Sequence, residues 1–380
     1  MSRELGPNAG LIGQQGSIDD LATPALVLDL DIFERNLQAL AGFCKNTDLT
    51  LRPHGKTHKS SKIAATQVAA GARGICCATL HEAEVMVQAR IPGVLITSPV
   101  IGDIKIARLM DLAGTARDLM AVVDNPVNAR NLDLAAGQAH VRLSVLVDVD
   151  IGMARTGVAS AEDAVALARQ IETSANLTYR GIQGYSGRVQ HIEAFDDRAR
   201  TYGAQLARLD AVRGALGNAG LAPAIVSGGG TGTFAIDRGR DLFTEHQAGS
   251  YIFMDVEYNQ VQLFPDAKSP FAPSLFVLTT VVSTNAAGFV TIDGGYKCFA
   301  TDGPDPEIWS GAPAGASYKY FGDEHGRIVF ARPDDRLDLG TKVALVTPHC
   351  DPTINLHSYY HCVRGRTLVD IWPIDARGAL

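Results

Sequence analysis

Eight consecutive residues, Arg52-Pro53-His54-Gly55-Lys56-Thr57-His58-Lys59, hold one arginine, two lysines and two histidines directly after the apolar Leu49-Thr50-Leu51. A strand that ends at Lys56 delivers its ammonium to the carboxyl-terminal edge of a sheet, where α/β folds keep their chemistry. Neighbouring cations lower an amine's pKa, so the cluster is expected to hold Lys56 as a neutral amine able to form a Schiff base. The competing reading is a basic surface turn that binds phosphate. A second stretch, Ser227-Gly228-Gly229-Gly230-Thr231-Gly232-Thr233, bears on that choice. Its glycines let the backbone curl N–H groups around an anion, with two threonine hydroxyls beside them; the alternative is a flexible turn. A phosphate-bearing aldehyde would account for both stretches at once.

Two further stretches can contribute. In Thr347-Pro348-His349-Cys350-Asp351-Pro352-Thr353, extended backbone would turn His349 and Asp351 to one side, where both can grip one divalent ion while Cys350 points away. Cys350 is the alternative ligand, and a lone His-x-Asp is also frequent in surface turns. Tyr185 closes the strand-like Gly181-Ile182-Gln183-Gly184. It can lie against a cofactor ring, reach the ring nitrogen, or be a core tyrosine.

The elements that must position these residues follow two grammars. Strand-like runs at 49–55, 74–78, 94–98, 119–123, 142–149, 177–184, 224–227 and 241–246 alternate with amphipathic segments such as 61–70, 80–89, 104–113, 161–171 and 198–216. Such alternation builds a parallel sheet, and eight strands fit a closed (β/α)8 barrel better than an open one. A strand at 21–30, opened by Pro24, precedes a helix with Asp31 as its N-cap. After Pro265, runs at 274–283, 288–292, 316–321, 327–331, 342–346 and 359–372 are separated by Gly, Asp and Pro turns, which predicts an antiparallel β-domain. The first sixteen residues read as a loose leader.

Composition narrows the class. A chain of 380 residues with 46% hydrophobic and 20% charged content is ordinary globular protein, long enough for two domains. A net charge of -7 without a long basic block argues against nucleic acid. No apolar run approaches the roughly 18 residues that span a bilayer, and the first twenty residues lack a signal-peptide apolar region. The six cysteines show no disulfide-framework spacing, so they are expected to be reduced thiols of a cytoplasmic protein.

The lysine stretch resembles the motif of the pyridoxal-phosphate family that contains D-threonine aldolase, 3-hydroxy-D-aspartate aldolase and eukaryotic-type D-serine dehydratase. The resemblance runs from Thr23-Pro24-Ala25-Leu26-Val27-Leu28-Asp29 to His349-Cys350-Asp351-Pro352-Thr353, and more distantly reaches the alanine racemase fold. It implies that residues 30–262 form the cofactor barrel, and that 1–29 and 263–380 form a β-domain carrying the metal site. It implies pyridoxal 5′-phosphate on Lys56, with the phosphate held by Gly229, Gly230, Thr231 and by Gly249, Ser250, Tyr251. Arg155 matches the alanine-racemase arginine that contacts the cofactor's phenolic oxygen; the alternative is a turn arginine paired to Asp148 or Asp150. His191 matches a histidine near the metal and the substrate hydroxyl. The dehydratase branch carries His-x-Cys, suited to zinc, whereas His349-x-Asp351 is the harder aldolase pair, suited to manganese or magnesium.

The implied activity is retro-aldol cleavage of D-threonine or D-allo-threonine, small D-3-hydroxy-amino acids, to glycine and an aldehyde. Cleavage of 3-hydroxy-D-aspartate, or dehydration of D-serine or 3-hydroxyaspartate, is the alternative. A non-catalytic pyridoxal-phosphate carrier would leave the metal pair and the β-domain unexplained, and so would an alanine racemase leave the metal pair. A homodimer is implied by the same resemblance. Borohydride should fix a visible chromophore to Lys56, and Lys56→Ala should lose both the colour and turnover. An adduct that maps to Lys59 or Lys62 instead would overturn this reading of the motif.

Overall fold

The structure, a computed structural model, describes residues 5–47 and 49–378. Strand β1 (Ala25–Asp29) leads into helix α1 (Leu30–Lys45), and a parallel sheet follows. Its strands are β2 (Thr50–Leu51), β3 (Ile75–Cys77), β4 (Val94–Ile96), β5 (Met120–Val123), β6 (Leu143–Asp148), β7 (Leu177–Gly184), β8 (Ile225–Gly228) and β9 (Glu245–His246). They lie in the order β2-β9-β8-β7-β6-β5-β4-β3. The ends of that order meet through a parallel bridge between His54 and Cys76, and through the Cys76 N–H donating to the Pro53 carbonyl at 2.8 Å. These contacts close the ring that the alternation predicts.

Helices α2 (Ser61–Ala69), α3 (Leu80–Gln88), α4 (Asp103–Thr115), α5 (Pro126–Gln138), α6 (Ala161–Glu172) and α7 (Phe195–Asn218) cover the strands. Their starts follow local chemistry: Thr79 caps α3 by accepting the Glu82 N–H, and Pro126 opens α5 behind the Asn125 cap. Behind β8 the chain makes one helical turn only, α8 (Phe234–Asp237), and α9 (Val256–Asn259) is equally short. Apolar residues of the strands and of the inward helix faces form one continuous core, including Leu109, Val145, Ile182 and Leu209. No helix among the described residues is long and apolar enough to cross a membrane.

The second sheet is antiparallel apart from one pair. It contains β10 (Leu275–Ser283), β11 (Phe289–Ile292), β12 (Glu307–Ser310), β13 (Ser317–Tyr320), β14 (Gly326–Val329), β15 (Lys342–Val346), β16 (Tyr359–Arg364) and β17 (Thr367–Pro373). Strand β1 lies inside this sheet, antiparallel to β10 and parallel to β16. Short helix α10 (Cys350–Ile354) leaves the end of β15. A second core joins α1 to this sheet through Phe33, Leu37, Phe253, Val277 and Tyr360.

Four local expectations differ from the structure. Asp29, not Asp31, caps α1: it accepts the N–H groups of Asp31 and Ile32 at 2.9 and 3.0 Å, because β1 runs straight into the helix. The run 359–372 is a hairpin that reverses at Gly365, whose φ of +56° few other residues adopt. Strand β12 has no apolar alternation and escaped the reading. The described part of the leader, residues 5–16, is docked rather than loose, while residues 1–4 lie outside the described residues. Asn8 is buried against His361 at 2.9 Å, and Gly13 donates its N–H to the Leu368 carbonyl at 2.8 Å.

At the amino-terminal end of the barrel Arg52 reaches down from β2. Its guanidinium meets Glu245 of β9 in two hydrogen bonds of 2.8 Å and also donates to the Gly93 carbonyl, with both side chains out of solvent. Removing one partner leaves the other charge buried and unpaired, at a cost of about 3–5 kcal/mol. Urea unfolding should therefore show Arg52→Met to be destabilised by that order. The double variant Arg52→Met/Glu245→Leu should recover most of the loss.

Candidate active site

Lys56 sits on a single 3-10 turn, Gly55–Thr57, at the carboxyl end of the barrel. His54 caps that turn, its Nδ1 accepting the Lys56 N–H at 3.4 Å, while its Nε2 lies 3.1 Å from the Thr97 hydroxyl. Gly55 packs closely here: a Cβ would stand 3.2 Å from the Cys76 carbonyl oxygen on the neighbouring strand. The ammonium of Lys56 extends 2.8 Å from Asp351 Oδ2, which belongs to the antiparallel sheet's side of the molecule. The site therefore lies across the seam of the two sheets.

The cation cluster does not act as expected on Lys56. Arg52 is paired to Glu245, and Lys59 to Glu82 at 3.1 Å. Burial pushes His54 down to about 3 and His58 down to about 4, so neither is a cation near neutrality. The Asp351 carboxylate dominates instead and holds the Lys56 ammonium above its ordinary pKa, against the effect of burial. The expectation of a lowered lysine pKa is thus reversed.

The predicted pair His349 and Asp351 does reach one place, by a different geometry. His349 is the extended N-cap residue of α10, and Asp351 lies in its first turn, so the two are not on one extended strand. Cys350 is fully buried, its N–H donating to Asp255 Oδ2 at 2.9 Å, and it does not line the cavity. The Nδ1 of His349 lies 2.9 Å from Asp302 Oδ2. Burial opposes its charged form, but Asp351, Asp255 and Asp302 outweigh this and raise its pKa. Burial likewise works against the Asp351 carboxylate, yet Lys56 and His349 hold it well below the usual range.

A cavity of about 190 Å³ collects Lys56, Arg155, Tyr185, His191, Gly230, Thr231, Gly249, Ser250, His349 and Asp351. An adjoining cavity of about 250 Å³ shares Lys56, Arg155 and Tyr185 and extends toward Thr97 and Gln183. Two sequence candidates stand outside them. Gly229 turns beneath the loop with φ +71°, where a Cβ would collide with His246. Tyr251 is buried behind it: its N–H donates to Thr231 Oγ1 at 3.0 Å and its hydroxyl accepts from Gln67 at 3.1 Å. Arg155 has no carboxylate within ion-pair distance among the described residues. Asp150 accepts three backbone N–H groups instead, and Asp148 accepts from Thr156 and Gln183. The ring of His191 lies 4.7 Å from that of Tyr258 and 6.5 Å from that of His349, and burial lowers its pKa.

Sequence reasoning missed several neighbours. Asp255, Glu257 and Tyr258 arrive on the short α9 turn, and Asp302 on a loop after β11; no local motif marks any of them. Gln190 was visible beside His191, yet its role emerges only in three dimensions. Its amide oxygen accepts the Gly232 N–H at 2.9 Å and occupies the space that a Cβ at Gly230 would need. Gly249 packs in the same way on the Thr57 hydroxyl, 2.4 Å from an added Cβ. Both loops are thereby held close, in a cradle open to an anion. Among the described residues no group of three or more His, Cys, Asp or Glu is placed to hold a metal ion.

Comparison with known proteins agrees with this arrangement. Residues 28–257 match the family described as alanine racemase, N-terminal domain, and residues 274–363 match a serine dehydratase domain. The chain is 40% identical over 357 residues to D-threonine aldolase of Arthrobacter sp., covering 94% of this chain and 93% of that one. It is 35% identical over 366 residues to 3-hydroxy-D-aspartate aldolase of Paracoccus denitrificans, with the same coverage. The crystal structure of D-threonine aldolase from Filomicrobium marinum superposes with a TM-score of 0.90 at 38% identity, covering 94% of this chain and 96% of that one. D-threo-3-hydroxyaspartate dehydratase from Delftia sp. HT23 superposes at 0.83 with 26% identity, over 94% and 98% of the chains. The chain belongs to the alanine racemase-like family that contains D-threonine aldolase and 3-hydroxy-D-aspartate aldolase, and it is an enzyme of the carbon–carbon lyase, aldolase type.

Proposed function

We propose that the enzyme cleaves D-threonine and D-allo-threonine to glycine and acetaldehyde, using pyridoxal 5′-phosphate and a divalent ion. The observation that carries this reading is the meeting of Lys56, His191, His349 and Asp351 at one cavity. Lys56 would carry the cofactor, and the close-held loops at Gly230-Thr231 and Gly249-Ser250 would take its phosphate. Bound there, the cofactor supplies an electron sink for whichever substrate bond stands perpendicular to its ring. Arg155 and Tyr185, on loops after β6 and β7, would orient the ring from either side.

His349 and Asp351 would hold manganese or magnesium, which supplies a Lewis acid toward the substrate's β-hydroxyl. Asp302 engages Nδ1 of His349 and leaves Nε2 to ligate. His191, kept neutral by burial, would take the proton from the β-hydroxyl as the Cα–Cβ bond opens. Among the described residues its buried Nδ1 has no hydrogen-bond partner, and the Glu257 carboxylate stands 3.6 Å away.

A second reading, cleavage of 3-hydroxy-D-aspartate, is favoured by the Paracoccus relative. The charge around the two histidines argues against it. Glu257 and Asp302 flank His191 and His349, and apart from Lys56 and Arg155 no lysine or arginine lines the cavity. Neither acid is in the cavity wall, so both would disfavour a second substrate carboxylate through space and not by contact.

Product analysis tests the proposal. The enzyme should release glycine and acetaldehyde from both D-threonine epimers and nothing from L-threonine, with kcat/KM for D-threonine about tenfold or more above that for 3-hydroxy-D-aspartate. His191→Ala should lower turnover by about 10²–10⁴-fold and leave the chromophore in place. A chelator should abolish turnover without bleaching the colour, and manganese or magnesium should restore it. Ammonia and 2-oxobutanoate from D-threonine, without glycine, would replace the aldolase reading with a dehydratase.

A further inference from the structure

The amino-terminal mouth of the barrel, opposite the catalytic end, carries a second cavity. It has a volume of about 440 Å³ and is lined by four arginines, Arg52, Arg73, Arg117 and Arg180, which arrive from four separate segments. Met120 and Ile225, buried residues of the barrel interior, close it from within. Of the four, only Arg52 has a carboxylate within ion-pair distance among the described residues. The other carboxylate at the cavity, Asp118, accepts the Gly93 N–H at 2.6 Å. Four guanidinium groups against Glu245 and Asp118 leave two positive charges in excess, in a chain whose net charge is -7.

Two features of the backbone exist to place these arginines. Strand β7 bulges against β6: Val145 pairs with Tyr179 and Leu146 with Gly181, so Arg180 is the extra residue and its side chain is re-aimed at the mouth. The bulge is locked, because Gly181 has φ +140° and a Cβ there would lie 1.9 Å from the Ile225 carbonyl oxygen. Arg52 is seated in the same deliberate way. A Cβ on Gly74 or Gly93 would stand 2.6 or 2.8 Å from its guanidinium nitrogen. A structural ion pair accounts for Arg52 and Glu245, but not for a bulge that turns an unpaired arginine toward two others.

We propose that this mouth binds a phosphate group. Guanidinium forks match phosphate oxygens in paired hydrogen bonds, and an excess of two positive charges suits a dianion. The volume leaves room for more than the phosphate itself, so a phosphate monoester of a small metabolite fits better than free phosphate. The ligand would bridge the segments before β3 and β5 and the start of β7, cross-linking the barrel where its strands begin.

Calorimetric titration and thermal unfolding test the site independently of the catalytic proposal. The protein, loaded with pyridoxal phosphate so that the catalytic loops are filled and then freed of the excess by gel filtration, is titrated with inorganic phosphate and with glycerol 3-phosphate, against sodium chloride at matched ionic strength. Saturable binding and a rise in unfolding temperature of about 2 °C or more are expected. Tighter binding of the monoester identifies an organic phosphate as the ligand; equal affinities identify free phosphate. Arg117→Gln/Arg180→Gln should weaken binding at least tenfold while the circular dichroism of the fold is unchanged, and Arg180→Gln alone serves if the double variant fails to fold. A shift reproduced by chloride, or undiminished binding in the folded variants, would overturn the proposal.

Discussion

One carboxylate sealed from solvent, Asp255, sets where the two halves of the site meet. One of its oxygens accepts the Tyr258 N–H at 2.9 Å and starts the α9 turn, and the other accepts the Cys350 N–H at 2.9 Å and anchors α10. The surrounding backbone is zipped in the same register, with the Val256 N–H on the Thr347 carbonyl at 3.0 Å and the Glu257 N–H on the Pro348 carbonyl at 3.3 Å. Burial raises the pKa of Asp255, and those two N–H groups partly counter it. Losing such an acceptor would strand buried donors at a cost of about 1–3 kcal/mol each. Through this clamp His349 and Asp351 stay opposite Lys56, and Glu257 stays beside His191.

The barrel places unlike electrostatics at its two ends. At the amino-terminal mouth the Arg52–Glu245 pair joins the strand that carries the lysine motif to β9, beside three arginines without a carboxylate partner among the described residues. At the open end the buried groups are held neutral or singly paired. His54 and His58 are uncharged, Asp148 is bonded to Gln183 and Thr156, and Gln183 in turn accepts from Gln247. A floor of amides and neutral imidazoles under the cavity leaves Lys56 and Asp351 as the dominant charges that respond to one another.

The scaffold and the site are carried by different parts of the chain. The fold is shared with two solved alanine racemases, which superpose with TM-scores near 0.7 at 16% identity or less. The residues gathered around the cavity sit on loops: His191 after β7, Asp302 after β11, and His349 with Asp351 after β15. Loops on a rigid scaffold can change without disturbing its packing.

The sequence by itself determined the eight parallel strands, most of the antiparallel ones and the stretches that line the cavity. For the strands, the lysine motif and the glycine-rich loop these are local properties, apolar runs broken by glycine and polar side chains that follow strand ends; Arg155, His191 and residues 249–251 rest on the family resemblance. The structure alone decided the charge state of the lysine motif, because Glu245, Glu82 and Asp351 lie far along the chain from the cations they meet. It likewise decided that Tyr251 and Gly229 stand behind the cavity, that His349 and Asp351 meet on a helical turn, and that Asp255 joins the two sheets. Desolvation and Coulombic pairing depend on what is near in space, and spacing along the chain does not encode that across hundreds of residues.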